Sequence, residues 1–140
     1  MIIATDMSLH FEYINKFKAL MNEPDPDFEK EENKTFVMSM CVHVSDLTNP
    51  AKNWTESYKW ALVVYEEFFV QGDKEKELGL PIGDLNDRKN INLAKSQLGF
   101  VDFIVQPTLE AFELFLPKLS LNISQLKINR AKWNSMIPEC

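Results

Sequence analysis

The sequence predicts an all-α fold for its 140 residues, and three observations support this fold class. Several segments carry apolar residues at every third or fourth position, which is the spacing of one helix face. No segment alternates apolar and polar residues convincingly, as a half-buried strand would. The chain contains four glycines, too few for a turn-rich sandwich or barrel. An apolar content of 45% is enough for one packed core, so we expect one domain or part of one.

Five helical segments are predicted. The first follows a cap at Thr5-Asp6, and the third has the clearest helical periodicity, which Gly72 is expected to interrupt. A loop over roughly residues 80–90 separates the third segment from the fourth. The predicted segments cover residues 7–21, 35–44, 54–70, 91–105 with an apolar continuation over 108–116, and 117–136.

Two further details concern the last two helices. Pro107 is expected to end or kink the fourth helix, because proline lacks an N–H group and its ring crowds the preceding turn. The last helix is expected to turn Leu121, Ile128 and Trp133 toward the core.

Residues 23–34 differ from the rest of the chain in their charge. They carry six acidic side chains and two lysines, which account for −4 of the net charge of −6. Pro24 and Pro26 block regular structure at the start of this segment. We therefore expect an exposed acidic loop, and the alternative is an acidic docking segment.

Residues 35–44 are apolar on every side, so this segment is expected to be buried on all faces. Composition alone also allows a buried strand, but the helices around it favour a core helix. His43 lies inside this run, where a hydrogen-bonded core histidine is the favoured interpretation over a metal ligand.

Composition excludes several classes of function. An acidic balance, with a pI near 4.9, disfavours a nucleic-acid-binding surface. The longest nearly uncharged run, residues 35–44, is too short to span a bilayer. A disulfide framework is not expected from Cys41 and Cys140 alone, and residues 1–6 lack a secretory signal pattern. We therefore expect a reducing, cytoplasmic location.

Asp46 is the first candidate for chemistry, because it ends the apolar segment. A buried carboxylate is costly unless it is paired or bound to a cation. The alternative is a turn cap, since Asp-x-x-Asn-Pro suits a turn. The segment alone leaves both interpretations open.

Gln97 is the second candidate, because it lies within an apolar helix three residues before Phe100. A buried amide needs hydrogen-bond partners, and an amide beside an aromatic ring suits a flat heterocycle such as a purine. The alternative is a glutamine that is bonded to nearby backbone. Glu66 and Glu67 point about 100° apart on a helix, so they cannot clamp one substrate, and a salt-bridged or solvated face is favoured.

Four segments carry a family resemblance. They read ATDMSLH at 4–10, SDLTNP at 45–50, EEFFVQGDKE at 66–75 and KSQLGFVDFIV at 95–105. In order and spacing, and over nearly the whole chain, they resemble the class I 3′,5′-cyclic nucleotide phosphodiesterases. Residues 78–81 and Trp54 are similar to the calmodulin-stimulated members, whereas Asn49 is similar to the cAMP-specific members.

The resemblance implies an all-α catalytic domain of the HD type with two divalent metals, zinc and magnesium or manganese. In this family a metal-bridging hydroxide attacks the cyclic phosphate of cAMP or cGMP, and a histidine acts as the general acid. The matching positions imply Asp46 as a ligand of the first metal, Gln97 at the purine edge, Phe100 and Val64 as two sides of a hydrophobic clamp, Asn49 as a contact of adenine, and Met7 in the pocket wall.

The family's histidine-rich metal motif should lie upstream of residues 4–10, where this chain has three residues. The chain is therefore expected to be the C-terminal part of a catalytic domain, with no catalytic residue of its own. Its expected partners are the N-terminal half of that domain and a cyclic nucleotide. Alone, it is expected to be inactive. The alternative is a non-catalytic helical remnant that acts as a binding or scaffolding module.

Overall fold

The computed structural model describes residues 2–137, and this range is helical with no strand. The all-α prediction is confirmed. Short 3₁₀ turns precede or link the helices at Ile2–Thr5, Met7–Leu9, Asn49–Ala51 and Pro117–Leu119. The α-helices are α1 (His10–Met21), α2 (Glu31–Asp46), α3 (Trp54–Glu77), α4 (Leu93–Phe100), α5 (Gln106–Glu113) and α6 (Ser120–Ser135).

Side-chain caps define where several elements begin. The Asn53 side chain accepts a hydrogen bond from the Glu56 N–H at the start of α3. At the start of α4, the Asn92 side chain accepts one from the Lys95 N–H. Asp6 accepts a hydrogen bond from the Ser8 N–H. The expected cap at Asp6 is therefore present, but it starts a 3₁₀ turn, and α1 itself begins at His10.

Two predicted boundaries were wrong. The acidic loop ends at Lys30, because residues 31–34 already belong to α2. Glu31 and Glu32 lie in the first turn of this helix, where carboxylates interact favourably with the positive end of the helix dipole. The third helix runs through Gly72 to Glu77, since this glycine is a packing contact and not a break.

The main core lies between α1, α2, α5 and α6. Phe17 and Phe112 stack at its centre, with ring centroids 4.9 Å apart. A smaller cluster surrounds Trp133, which packs on the rings of Trp54 and Tyr58 from α3. Further buried members of the main core are Ile14, Leu20, Val37, Met40, Val44, Ala51, Val101, Val105, Leu109, Ala111, Ile123 and Leu126.

The apolar segment 35–44 is a core helix, as expected, but it is not buried on all faces. Val37 and Met40 are buried, whereas Met38 is 47% exposed and Cys41 is also exposed. Within residues 2–137, α2 packs against α1, α5 and the 3₁₀ turn Ile2–Thr5 on one side only. The prediction of complete burial was therefore wrong.

The helix that contains Pro107 does not end there. A π-helical turn, Val101–Val105, joins α4 to α5, and the Gln106 N–H bonds to the Val101 carbonyl. Pro107 then occupies the first turn of α5, where its missing N–H costs little. The proline is therefore accommodated by a local widening of one continuous helical run.

Helix α6 buries a different face from the one predicted. Trp133 is buried as expected, but Leu121 is 77% exposed and Ile128 is 52% exposed. Asn129 is fully buried, and its Nδ2 atom donates to the carbonyl oxygens of Pro50 and Lys52, each at 2.7 Å. This polar anchor fixes the rotation of α6, which the apolar pattern alone did not reveal.

Candidate functional site

A cavity of about 580 Å³ opens between α3, α4 and the 78–92 segment that connects them. This volume lies within the range of small-molecule sites, which are mostly apolar with a few polar groups. Its walls come from four separate parts of the chain. The lining residues are Met7, Val64, Tyr65, Phe68, Leu85, Ser96, Gln97, Gly99, Phe100 and Ile104.

Gln97 lies in the cavity wall and is only 8% exposed. It lies on α4, whose start is capped by the Asn92 side chain accepting from the Lys95 N–H. Among residues 2–137, no hydrogen bond joins the Gln97 side-chain amide to the backbone, and its polar atoms are not among the fully buried, unpaired ones. Phe100, three residues later, lines the same cavity. A free amide edge beside a ring is therefore present.

Sequence reasoning missed six further residues of this cavity, among them Tyr65, Ser96 and Leu85. The Tyr65 hydroxyl donates a hydrogen bond to Ser96 Oγ, and both side chains line the cavity beside Gln97. Tyr65 belonged to a predicted apolar stripe, and nothing in the sequence marked its hydroxyl as paired. Leu85 lies in an irregular loop, where apolar periodicity gives no signal.

Asp46 is the last residue of α2 and is exposed to solvent. The expectation of a buried carboxylate was wrong, because α2 is covered on one side only. Its carboxylate has no hydrogen-bond partner within the described range, so a turn-capping role is not observed either. The carboxylate does not line the cavity that contains Gln97.

Asn49 also lies outside this cavity, at the start of the 3₁₀ turn Asn49–Ala51. Its side chain is half-buried, and its Oδ1 atom is buried without a hydrogen-bond partner. Of the five expected substrate contacts, the cavity therefore contains Met7, Val64, Gln97 and Phe100, but not Asn49.

The described residues do not fit a two-metal centre on their own. Within 2–137, no group of three or more His, Cys, Asp or Glu side chains could hold a metal ion. His10 and His43 are both buried and contact each other, at 2.9 Å between His10 Nδ1 and His43 Nε2. This pairing confirms the expectation of a hydrogen-bonded core His43. Asp46 can offer a single carboxylate, which is one ligand of a set.

Glu66 and Glu67 are both exposed on α3. Both oxygens of Glu66 accept hydrogen bonds from Arg88, at 3.1 and 3.2 Å. The interpretation of a salt-bridged surface is therefore confirmed for Glu66. No helix within residues 2–137 has both the length and the apolar character to cross a bilayer.

Comparison with known proteins identifies clear relatives. The family model described as 3′5′-cyclic nucleotide phosphodiesterase matches residues 1–126. The chain is 45% identical over 108 residues to the dual specificity calcium/calmodulin-dependent 3′,5′-cyclic nucleotide phosphodiesterase 1C of Mus musculus, a match that covers 77% of this chain and 15% of that protein. The 1B protein of Bos taurus is 42% identical over 108 residues, covering 77% and 19%.

A solved structure of LmjPDEB1 in complex with IBMX has a similar fold. It superimposes with a TM-score of 0.91 at 31% sequence identity, over 96% of this chain and 41% of that chain. The chain thus spans less than a fifth of the length of these curated relatives, and less than half of the solved structure.

Proposed function

The chain belongs to the 3′,5′-cyclic nucleotide phosphodiesterase family, and we propose that it forms the base-binding part of a catalytic domain. The proposed reaction is hydrolysis of cAMP, cGMP or both to 5′-nucleoside monophosphates in signal transduction. In this proposal the N-terminal half of the domain is the partner that completes the active site.

One observation carries the proposal. Met7, Val64 and the neighbouring pair Gln97 and Phe100 come from three distant parts of the sequence but line one cavity. These are four of the five positions that family resemblance assigns to substrate contact. Asn49, the fifth, stays a proposed contact, and its Oδ1 atom is buried without a hydrogen-bond partner among the described residues.

The cavity suits a flat base on chemical grounds. Phe100 and Val64 offer apolar surfaces to the two faces of a ring, and the Gln97 amide offers both donors and an acceptor to its edge. An amide that can present either group can pair with adenine or guanine. A base in this cavity would give the buried Gln97 side chain the hydrogen bonds that it lacks among the described residues.

Asp46 is proposed as one ligand of the first of two divalent metals. Its exposed carboxylate lies at the C-terminal end of α2, where the helix dipole disfavours a negative charge. A bound cation would offset this repulsion. Because residues 2–137 do not complete a ligand set, the other ligands of zinc and magnesium (or manganese) would come from the partner half.

Ligand binding to the purified 140-residue chain tests the proposal. We expect IBMX, the ligand in the compared structure, to shift NMR signals of Gln97 and Phe100. Gln97→Ala should weaken binding by about 5- to 150-fold, the equivalent of about 1–3 kcal/mol for unmatched polar groups. The control is Gln106→Ala, whose amide donates to Glu110 away from the cavity.

Equal affinity of the Gln97 variant and the wild type would contradict the base-binding role. A chain that binds neither IBMX nor cAMP would instead support the alternative, a non-catalytic helical module that binds or scaffolds other proteins.

A cytoplasmic location is part of the proposal. Cys41 is exposed and is not in a disulfide, which suits a reducing compartment. Cys140 lies outside the described residues. Thiol labelling of the protein in intact cells would test this, since a disulfide-linked Cys41 would contradict it.

A further inference from the structure

We propose that Glu75 is a positioning residue that holds Leu85 in the wall of the base-binding cavity, by fastening the 78–92 segment to α3. The base-binding role of this cavity rests on the proposed function. Glu75 does not itself line the cavity, so it acts through the segment that it binds.

The Glu75 carboxylate accepts hydrogen bonds both from α3 and from the 78–92 segment. Its Oε1 atom accepts from Gln71 Nε2 at 2.8 Å and from Asn86 Nδ2 at 3.1 Å. Its Oε2 atom accepts from the Gly83 N–H at 3.0 Å and from the same Asn86 amide at 3.1 Å. These hydrogen bonds, from Gln71, Gly83 and Asn86, lower the pKa of Glu75 below its ordinary value.

Gly72 allows the backbone of the same segment to approach α3 closely. A Cβ atom at this position would lie 2.1 Å from the Asn86 carbonyl oxygen. The Asn86 backbone therefore rests directly on the helix, one turn before Glu75. The Asn86 side chain donates hydrogen bonds to Glu75, so both its backbone and its side chain contact α3.

Leu85 lies inside the fastened stretch, between Gly83 and Asn86. Within the described residues it is the only member of the 78–92 segment that lines the cavity. Its side chain is 48% exposed, so its own burial is too small to hold it in place. Its position therefore depends on the bonds of the residues on either side of it.

Arg88 provides a second attachment of a different kind. It binds both oxygens of Glu66, and its Nη2 atom also lies 3.0 Å from Asp73 Oδ2. These ion pairs are exposed, so salt screens them. The Glu75 bonds to a backbone N–H and to neutral amides are less sensitive to salt, which separates the two attachments experimentally.

The first test needs no ligand. Glu75→Gln replaces one carboxylate oxygen with an NH2 group, which cannot accept the hydrogen bonds that this oxygen received. We expect the Gly83 and Asn86 amides to exchange with deuterium about tenfold faster or more, the effect of losing a hydrogen bond to a charged group. The Leu85 methyl NMR signals should move toward the positions of an unstructured leucine, also in 0.5 M salt, where the Debye length is about 4 Å and exposed ion pairs are largely screened.

The matched control is Glu77→Gln on the same helix, because Glu77 is exposed and pairs with Lys74 alone. This control should leave both readouts unchanged. Unchanged exchange at Gly83 and unchanged Leu85 methyl signals in Glu75→Gln would overturn the inference.

The second test is a double-mutant cycle on IBMX affinity. Glu75→Gln and Leu85→Ala should each weaken binding several-fold, and the double variant should be no worse than Leu85→Ala alone. Strictly additive effects would overturn the inference, because Glu75 would then not act through Leu85. If the wild-type chain does not bind IBMX, the proposed function fails, while the exchange and methyl readouts still decide the role of Glu75.

Discussion

The two histidines of the chain form a buried pair, with His10 Nδ1 2.9 Å from His43 Nε2. His43 Nδ1 lies 2.7 Å from the Ala4 carbonyl oxygen, so this nitrogen carries the proton and donates it. With both rings neutral, His43 Nε2 accepts and His10 Nδ1 donates. If both rings were protonated, the His10 Nδ1–H and His43 Nε2–H groups would face each other, which the pair cannot accommodate.

This pair predicts that the chain is less stable in mild acid. Burial, and then the proximity of His43, lowers the pKa of His10 below 6.5. As the pH falls through about 6.5, the unfolded chain takes up a proton that folded His10 resists, so the free energy of unfolding falls. Thermal unfolding followed by circular dichroism should show a lower Tm at about pH 5.5 than at about pH 7.5.

His10→Asn is the variant for that measurement. It should melt lower than the wild type near neutral pH, because it loses buried contacts, but its Tm should depend less on pH. A pH dependence equal to that of the wild type would show that His10 is not the responsible group.

Asp46 predicts a gain in stability on substitution. Asp46→Asn removes a negative charge from the C-terminal end of α2 and should raise the free energy of unfolding by about 0.3–1 kcal/mol. Glu31→Gln, at the opposite end of the same helix, should lower it by a similar amount. Urea denaturation measures both, and a loss of stability in Asp46→Asn would mean that its carboxylate has a stabilising partner.

Gly72 predicts a steric effect that can be compared with another helical glycine. Gly72→Ala brings a Cβ atom within 2.1 Å of the Asn86 carbonyl oxygen and should destabilise the chain by about 1–3 kcal/mol. Gly99→Ala meets no atom within 4 Å and should be neutral or stabilise by up to about 1 kcal/mol. If urea denaturation showed equal changes in the free energy of unfolding for the two substitutions, this would contradict the close approach of the Asn86 backbone to α3.

The donor set predicts that the purified 140-residue chain does not hydrolyse cAMP when zinc and magnesium are added. Asp46 is a single carboxylate, and residues 2–137 supply no set of three metal-binding side chains. Turnover of cAMP can be followed by release of 5′-AMP, with an intact relative as the positive control. Sustained turnover by the chain alone would refute this account of Asp46.

The helices were largely predictable from the sequence because they depend on local patterns, whereas the meeting of Met7, Val64 and Gln97 in one cavity was expected only from the family resemblance. The 3.6-residue period located the helical segments, and the spacing of Gln97 and Phe100 placed both on one side of α4. These features need only the geometry of a single helix.

Features that depend on contacts between distant segments were not predictable. The rotation of α6 depends on Asn129 binding two carbonyl groups of residues nearly 80 positions away. The exposure of Asp46 depends on which sides of α2 have partners, and composition cannot reveal this. Leu85 reaches the cavity through the bonds of Glu75, which have no signature in the pattern of apolar residues.

The π-helical turn Val101–Val105 makes this chain more tolerant of losing one residue than of gaining one. Such a turn contains one residue more than a regular helical turn, so it absorbs the extra residue locally. Removing one of the five residues would restore regular winding and leave Gln97 and Phe100 in about the same rotation relative to Leu109 and Phe112. A further residue added with regular winding would instead rotate these two pairs by about 100° relative to each other, which would separate the ligand cavity from the core that supports it.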